Sequence, residues 1–278
     1  MVGIIKFFFN MISLVNLQEF KQRFISTITL SLILLLLIYL GNPSITIIFS
    51  MLFSLIIFEY EKLALDLNKK LLVLKIILLQ SILFLFTIFE IYSFQVFPVF
   101  LNNFIFYLSF SIFINLIFLI YININLIKFI VSTLIILSLF SLIAILQKPN
   151  GIYIFLYIVI LVSTMDILAY FGGKFFGKNK IIPKISKGKT IEGTLIGLFS
   201  TVLMSFIIKD LIHHNIINSL IFGFIISVLA FLGDMIESIF KRNIGVKDSG
   251  KLIPGHGGLM DRFDGYFLVI PFSYFFII

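Results

Sequence analysis

IINSLIFGFIISVLAFLGDMIESIF, residues 216–240, decides the fold. Residues 216–233 carry no charge, and at 1.5 Å per helical residue the stretch outreaches a hydrocarbon core of roughly 30 Å. Its far end then turns ionic. Asp234, Glu237, Ser238 and the following Lys241 stand at i, i+3, i+4 and i+7, so they share one helical face at the end of a membrane span.

Apolar runs of similar kind recur along the 278 residues, near Ile25–Leu40, Ser44–Phe58, Leu71–Phe89, Val99–Tyr121, Leu126–Leu146, Ile152–Phe171, Gly193–Ile208 and Leu259–Ile278. With Ile216–Phe240 they make about nine spans, the pattern of an all-α polytopic integral membrane protein. Composition agrees: 60% of residues are hydrophobic and 12% charged, where a soluble domain carries about 25%. The 36 Phe and the absence of Trp read as base-composition drift of an AT-rich genome and carry little functional information. Zero Cys excludes disulfides, thiolate metal sites and a Cys nucleophile.

The +8 charge is read through the positive-inside rule rather than as a nucleic-acid footprint. With a cytoplasmic N-terminus, Lys6, Lys21, Arg23, Lys62, Lys69, Lys70, the Lys174–Lys189 stretch and Lys241–Arg262 all lie inside, leaving Lys148 and Lys209 outside. The chain divides into an N-terminal transmembrane bundle, 1–150, and a C-terminal catalytic region, 151–278, whose polar loops face the cytoplasm. Glu59, Glu61, Lys62, Asp66, Lys69 and Lys70 read as a solvated turn, and His213-His214 as an exposed outer loop.

Residues 233–265 hold five of the thirteen acids: Asp234, Glu237, Asp248, Asp261 and Asp264. Two carboxylates and a hydroxyl on one face suit a hard cation such as Mg²⁺, which leaves part of its shell to water and substrate phosphates. Asp261 and Asp264, at i and i+3 on the start of the last span, offer a second set that could face the first across a metal or a metal pair. Lys241, Arg242, Lys247, Lys251 and Arg262 supply positive charge for phosphate oxygens, and Gly255, Gly257 and Gly258 around His256 let backbone approach a ligand.

Asp166 lies within an apolar run, where a carboxylate must face a cavity, a cation or a base, unless it reaches water at the membrane end. The Gly- and Lys-rich loop 172–193 follows; it can anchor to anionic head groups or collect phosphates ahead of a helix start at Thr190–Glu192. Gly188-Lys189-Thr190 is not a nucleotide P-loop, because that pattern needs a Gly where Pro183 stands.

Ser238-Ile-Phe-Lys241-Arg242, then Lys247-Asp248-Ser249-Gly250, then Pro254-Gly255-His256-Gly257-Gly258-Leu-Met-Asp261-Arg262-Phe-Asp264 resembles, without gaps, the signature of the phosphatidate cytidylyltransferases, the CDP-diacylglycerol synthases. Asp166, Ala169-Tyr170-Phe171, Gly177-Lys178, Pro183, Ser186 and Lys189-Thr190-Ile-Glu192-Gly193 resemble a second motif of that family. The second match departs at Ile167-Leu168, usually small, at Lys187, usually Pro, and at Ile191, usually aromatic.

The resemblance implies a reaction: CTP and phosphatidic acid give CDP-diacylglycerol and pyrophosphate, with Mg²⁺ and room for a second cation. It implies Asp234 and Asp261 as Mg²⁺ ligands, with Glu237, Asp248 and Asp264 in supporting or alternate positions. Lys241, Arg242, Lys247 and Arg262 would hold phosphates, Lys187 and Lys189 would cover the triphosphate, and His256 would orient a phosphate or the glycine turn. Asp166, Glu192, Gly257 and Gly258 complete the expected nucleotide site. Expected partners are CTP, phosphatidic acid and membrane lipid, with no nucleic acid; a homodimer is expected by resemblance alone. The expected location is the bacterial cytoplasmic membrane, site facing inward. A CTP-dependent polyprenol or dolichol kinase, releasing CDP, is the alternative enzyme, and a transporter or lipid-binding scaffold the non-enzymatic one. CDP-alcohol phosphotransferases are set aside for want of their carboxylate spacing.

Overall fold

The computed structural model describes residues 39, 44–64, 112, 126–186, 188–250 and 257–277. The expected span Leu71–Phe89, nearly all of Val99–Tyr121 and of Ile25–Leu40, and Asp66, Lys69, Lys70, Lys187, Lys251, Gly255 and His256 lie outside the described residues. Within them the protein is all-α: α1 Ser44–Ala64, α2 Leu126–Gln147, α3 Gly151–Phe176, α4 Ile191–Ile207, α5 Ile216–Asn243, α6 Met260–Phe263 and α7 Tyr266–Ile277. A 3-10 turn, Lys209–Ile212, joins α4 to α5.

Three helices, α2, α3 and α5, are long and apolar enough to cross a membrane; α4 and α7 are shorter apolar helices. A helix apolar on every side belongs in the middle of a bundle. That helix is α2, buried from Val131 to Leu146 at every position but Leu134 and packed against α1, α3, α5 and α7. Its buried Ser138 Oγ donates toward Leu134 O of its own helix (2.6 Å) and Phe267 O (2.8 Å), tying α2 to α7. By contrast α3, α4 and α5 turn apolar side chains outward, among them Ile167, Phe171, Leu195, Phe199, Leu203, Ile221 and Phe224. An outward-facing apolar surface is what acyl chains require of a helix bundle.

The end that builds the site follows from chain direction. Helices α3 and α5 finish there and α4 starts there, while the α4–α5 connection with His213 and His214 lies at the other end. His213, at φ 55°, is exposed as expected. His214 instead packs its ring on Phe222 at 4.9 Å and approaches Tyr157 at 6.4 Å.

Two expectations are corrected. The run Ser44–Phe58 continues helically to Ala64, and Glu59 and Glu61 are not a solvated turn but buried, at 5% and 0% exposure. The reason is tertiary: Glu59 Oε2 accepts the amide hydrogen of Met260, 201 positions along the chain, at 2.9 Å. Nor is Leu259–Ile278 one continuous helix. It breaks at Asp264–Gly265 between α6 and α7, where the α5 backbone passes so closely that a Cβ on Gly233 would lie 2.5 Å from Asp264 O.

Candidate active site

A cavity of about 620 Å³ opens where these helix ends converge, within the 300–1,000 Å³ range of small-molecule sites. Asp166, Tyr170 and Lys174 line it from α3, Lys189, Thr190 and Thr194 from the α3–α4 loop and α4, Phe231 and Asp234 from α5, and Asp261, Arg262 and Asp264 from the α6 turn. Four carboxylates therefore face three cationic side chains.

Asp234, Glu237 and Asp264 each bring one oxygen within 4.8 Å of the others. Asp234 and Glu237 do so because α5 is continuous between them, as the i, i+3 spacing requires. Asp264 joins them from the other side because α6 ends there, and its Oδ1 is fixed by the amide of Gly265 at 2.7 Å. Glu237 is 1% exposed, and its Oε1 has no hydrogen-bond partner among the described residues. Three hard oxygen donors converging on one point, one of them buried with an oxygen unpartnered, fit a Mg²⁺-like ion.

Asp261 has a different surrounding from the one expected of a metal ligand. It lines the cavity, but Oδ1 accepts from Lys241 Nζ (2.8 Å) and Ser249 N (3.1 Å), and Oδ2 from Ser249 N (2.9 Å) and Gly258 N (2.9 Å). Burial by itself would raise the Asp261 carboxyl, but the Lys241 ammonium and these amides outweigh it and hold the group below the usual carboxylate range. Asp261 thus ties Ser249 to Gly258. Gly257 stands beside it at φ +86°, where a Cβ would lie 2.8 Å from Asp261 Oδ2. Asp261 and Asp264 keep their i, i+3 spacing on one helical turn and both line the cavity, but the Asp261 carboxylate is taken up by Lys241, Ser249 and Gly258 while Asp264 faces Asp234 and Glu237.

Lys241 is the hub below the carboxylates, 2.6 Å from Glu237 Oε2 and 2.8 Å from Asp261 Oδ1. Its ammonium serves buried acids and does not line the cavity. Lys189 reaches across from the basic loop to Asp234 Oδ2 at 2.7 Å, its ammonium 5.2 Å from the centre of the Phe231 ring. Ser238 Oγ stands 3.3 Å from the other oxygen of Asp234.

Two of the expected site residues, Arg242 and Glu192, bond to backbone groups. Arg242 donates from Nε to Ile185 O (3.0 Å) and from Nη1 to Val246 O (2.8 Å), which holds the basic loop against the end of α5. Glu192 accepts from the amides of Lys178 (3.1 Å) and Asn179 (3.2 Å) and from Asn179 Nδ2 (2.9 Å), bracing the loop from inside. The loop closes as a narrow hairpin at the antiparallel bridge Lys180–Thr190, and Thr190 caps α4 by accepting from Gly193 N at 3.2 Å. Lys247 and Asp248 are exposed and outside the cavity lining. Lys174, expected within the basic loop, and Tyr170, expected only as part of the second family motif, line the cavity from α3 at i, i+4, with Asp166 one turn before Tyr170; sequence reasoning missed Thr194 and Phe231, which lie in apolar runs and carry no signal.

Gly233→Ala is expected to destabilise the protein by about 1–3 kcal/mol, because the added methyl meets the Asp264 carbonyl and the two backbones must part. Thermal unfolding in detergent with and without Mn²⁺ checks this: Gly223→Ala, whose methyl would likewise crowd Ser205 but at the far end of α5, should lose stability and keep the Mn²⁺-dependent shift, whereas Gly233→Ala should lose both.

A family model described as the cytidylyltransferase family matches residues 21–278. The uncharacterised protein YnbB of Escherichia coli K12 is 42% identical over 129 residues, covering 46% of this chain and 43% of that protein. A phosphatidate cytidylyltransferase of Haemophilus influenzae is 45% identical over 134 residues, 46% of each chain. One from Staphylococcus aureus is 41% identical over 126 residues, 45% of this chain and 48% of the relative. The matched stretches thus span about half the length of these curated relatives.

Proposed function

The chain belongs to the cytidylyltransferase family, and from that membership we propose that it transfers CMP from CTP to phosphatidic acid, giving CDP-diacylglycerol and pyrophosphate. The observation that carries the proposal is the convergence of Asp234, Glu237 and Asp264 beside a cavity also lined by Lys189, Arg262 and Lys174. The relatives named phosphatidate cytidylyltransferase supply the lipid acceptor.

In the proposed reaction an oxygen of the lipid phosphate attacks the α-phosphorus of CTP; a new P–O bond forms as the α–β bridge breaks, and pyrophosphate leaves with the electron pair. Both reactants are polyanions, so the protein's task is to neutralise and align them rather than to supply a nucleophile. Asp234, Glu237 and Asp264 would hold Mg²⁺, which when bound neutralises phosphate charge and withdraws electrons from the reacting phosphorus. A second cation remains compatible with Asp166 on the same wall. Lys189 is placed to exchange Asp234 for a phosphate oxygen, Arg262 and Lys174 add charge at the cavity wall, and Asp261 keeps the loop and Lys241 in register. Gly257 and Gly258 serve by holding Asp261 rather than by touching nucleotide.

The finer topology belongs to the same proposal: about nine spans, the N-terminus and active site on the cytoplasmic side of a bacterial inner membrane, where CTP is available, and a homodimer. The clustering of Lys and Arg on the site's side of the bundle supports that orientation.

Purified protein incubated with phosphatidic acid, α-labelled CTP and Mg²⁺ is expected to release pyrophosphate and a CMP-bearing lipid in equal amounts, and Asp234→Ala to release neither. In a parallel reaction with a polyprenol in place of phosphatidic acid, release of CDP with a phosphorylated polyprenol would identify the kinase instead, and wild-type turnover by Asp234→Ala would remove the site assignment.

A further inference from the structure

We propose that Glu59, on α1, is a positioning residue for the cation-holding turn. The inference rests on the reaction proposed above for its assay, but its geometry stands independently. Glu59 is 5% exposed and stands at the end of an uncharged helical run, 44–58. Burying a carboxylate is costly unless it is bonded where it lies. Its Oε2 accepts the amide hydrogen of Met260 at 2.9 Å, the residue directly before Asp261 and four before Asp264.

The carboxylate is also wedged between Gly250 and Gly258. A Cβ on Gly250 would lie 2.4 Å from Glu59 Oε1, and one on Gly258 2.9 Å from Oε2. Only bare backbone fits on either side of it. Two aromatic contacts from the same helix reinforce the arrangement. Phe53 packs edge-on against Phe263 of α6 at 5.6 Å, and Tyr60 stacks on Phe240 near the end of α5 at 5.2 Å. Tyr60 Oη in turn donates to Lys128 O of α2.

Helix α6 has four residues, too few to hold its own direction by internal hydrogen bonds. What aims Asp264 at Asp234 and Glu237 must therefore come from outside the turn. From below, Gly233 sets the closeness of α5; from the side, α1 supplies an acceptor for the Met260 amide and a ring against Phe263. Remove the acceptor and the amide next to Asp261 is left buried without a partner, so the turn relaxes and Asp264 loses its register with the other two carboxylates. On this reading the requirement is an oxygen at the right distance, not a charge.

Three variants separate those possibilities. Glu59→Gln keeps a carbonyl oxygen at the same reach, Glu59→Asp keeps the charge but withdraws it by one methylene, and Glu59→Ala removes both. Equilibrium Mn²⁺ binding by electron paramagnetic resonance, with Mn²⁺ as the probe ion, should weaken about tenfold for Glu59→Asp and Glu59→Ala, as for loss of a group that orients a ligand. Glu59→Gln should stay within about threefold of wild type, the rescue a charge requirement would not allow. Hydrogen exchange over 257–264 should accelerate in step. If Glu59→Ala does not fold, the Asp and Gln variants decide. Wild-type Mn²⁺ isotherms for Glu59→Asp, or a Glu59→Gln as weak as Glu59→Asp, would overturn the inference. CMP transfer measured on the same wild-type sample keeps the two proposals apart: no CMP-lipid with shifted isotherms removes the reaction alone, and CMP-lipid with unshifted isotherms removes the role of Glu59 alone.

Discussion

Asp264→Asn is expected to cut CMP transfer by at least about a hundredfold, with part of the loss recovered as Mg²⁺ is raised. The substitution is nearly isosteric, and the amide oxygen can still accept from Gly265 N, so the turn between α6 and α7 keeps its shape. What disappears is one negative oxygen facing Asp234 and Glu237, and with it cation affinity. Asp261→Asn should fail differently. Its two oxygens accept from Lys241, Ser249 and Gly258, and an amide would turn an NH₂ toward one of those donors. The loop and Lys241 then loosen, activity falls, and added Mg²⁺ restores nothing. Initial rates across a Mg²⁺ titration for both variants distinguish the outcomes. Magnesium rescue of Asp261→Asn, with Asp264→Asn unaffected, would return the ion to the Asp234–Asp261 position suggested by family resemblance.

Lys241→Met should be the most destabilising single change in the described part of the protein, costing about 3–5 kcal/mol. Glu237 and Asp261, with side chains 1% and 8% exposed, share this one ammonium at 2.6 and 2.8 Å. Methionine fills a similar volume but leaves both carboxylates buried without it. Adding Glu237→Gln to Lys241→Met should regain part of the loss, because one of the stranded charges is then gone. Unfolding in detergent of wild type, the single variants and the double variant gives the coupling directly. A loss below about 1 kcal/mol for Lys241→Met would mean that the acids find another counter-ion.

What the sequence could convey here follows the reach of each interaction. Asp234, Glu237 and Lys241 were legible because one unbroken helix carries them, so spacing alone fixes a common face. Asp261 and Asp264 have the same kind of spacing and share a helical turn, but the amides of Ser249 and Gly258 that occupy Asp261, and the break just after Asp264 beside the α5 backbone at Gly233, leave no mark on local periodicity. Arg242 and Glu192 carry the right charge for ligand chemistry, yet their partners are backbone groups of a loop whose folding could not be foreseen from composition. Glu59 was illegible for the strongest reason. A carboxylate in a run of charged residues looks solvated until a chain segment 201 positions away comes to sit on it. The division of the chain at about residue 150 hides the same fact, since α1 and α2 pack against the helices that bear the site.

The ammonium of Lys189 resting on Asp234 has a thermodynamic consequence. A divalent ion arriving there must compete with a tenant, so its affinity in the absence of nucleotide is diminished by the work of eviction. A triphosphate offers the displaced lysine a new home, which refunds that work. Ion and nucleotide should consequently each tighten the other's binding by the same factor, and the species that loads the enzyme best is their preformed chelate.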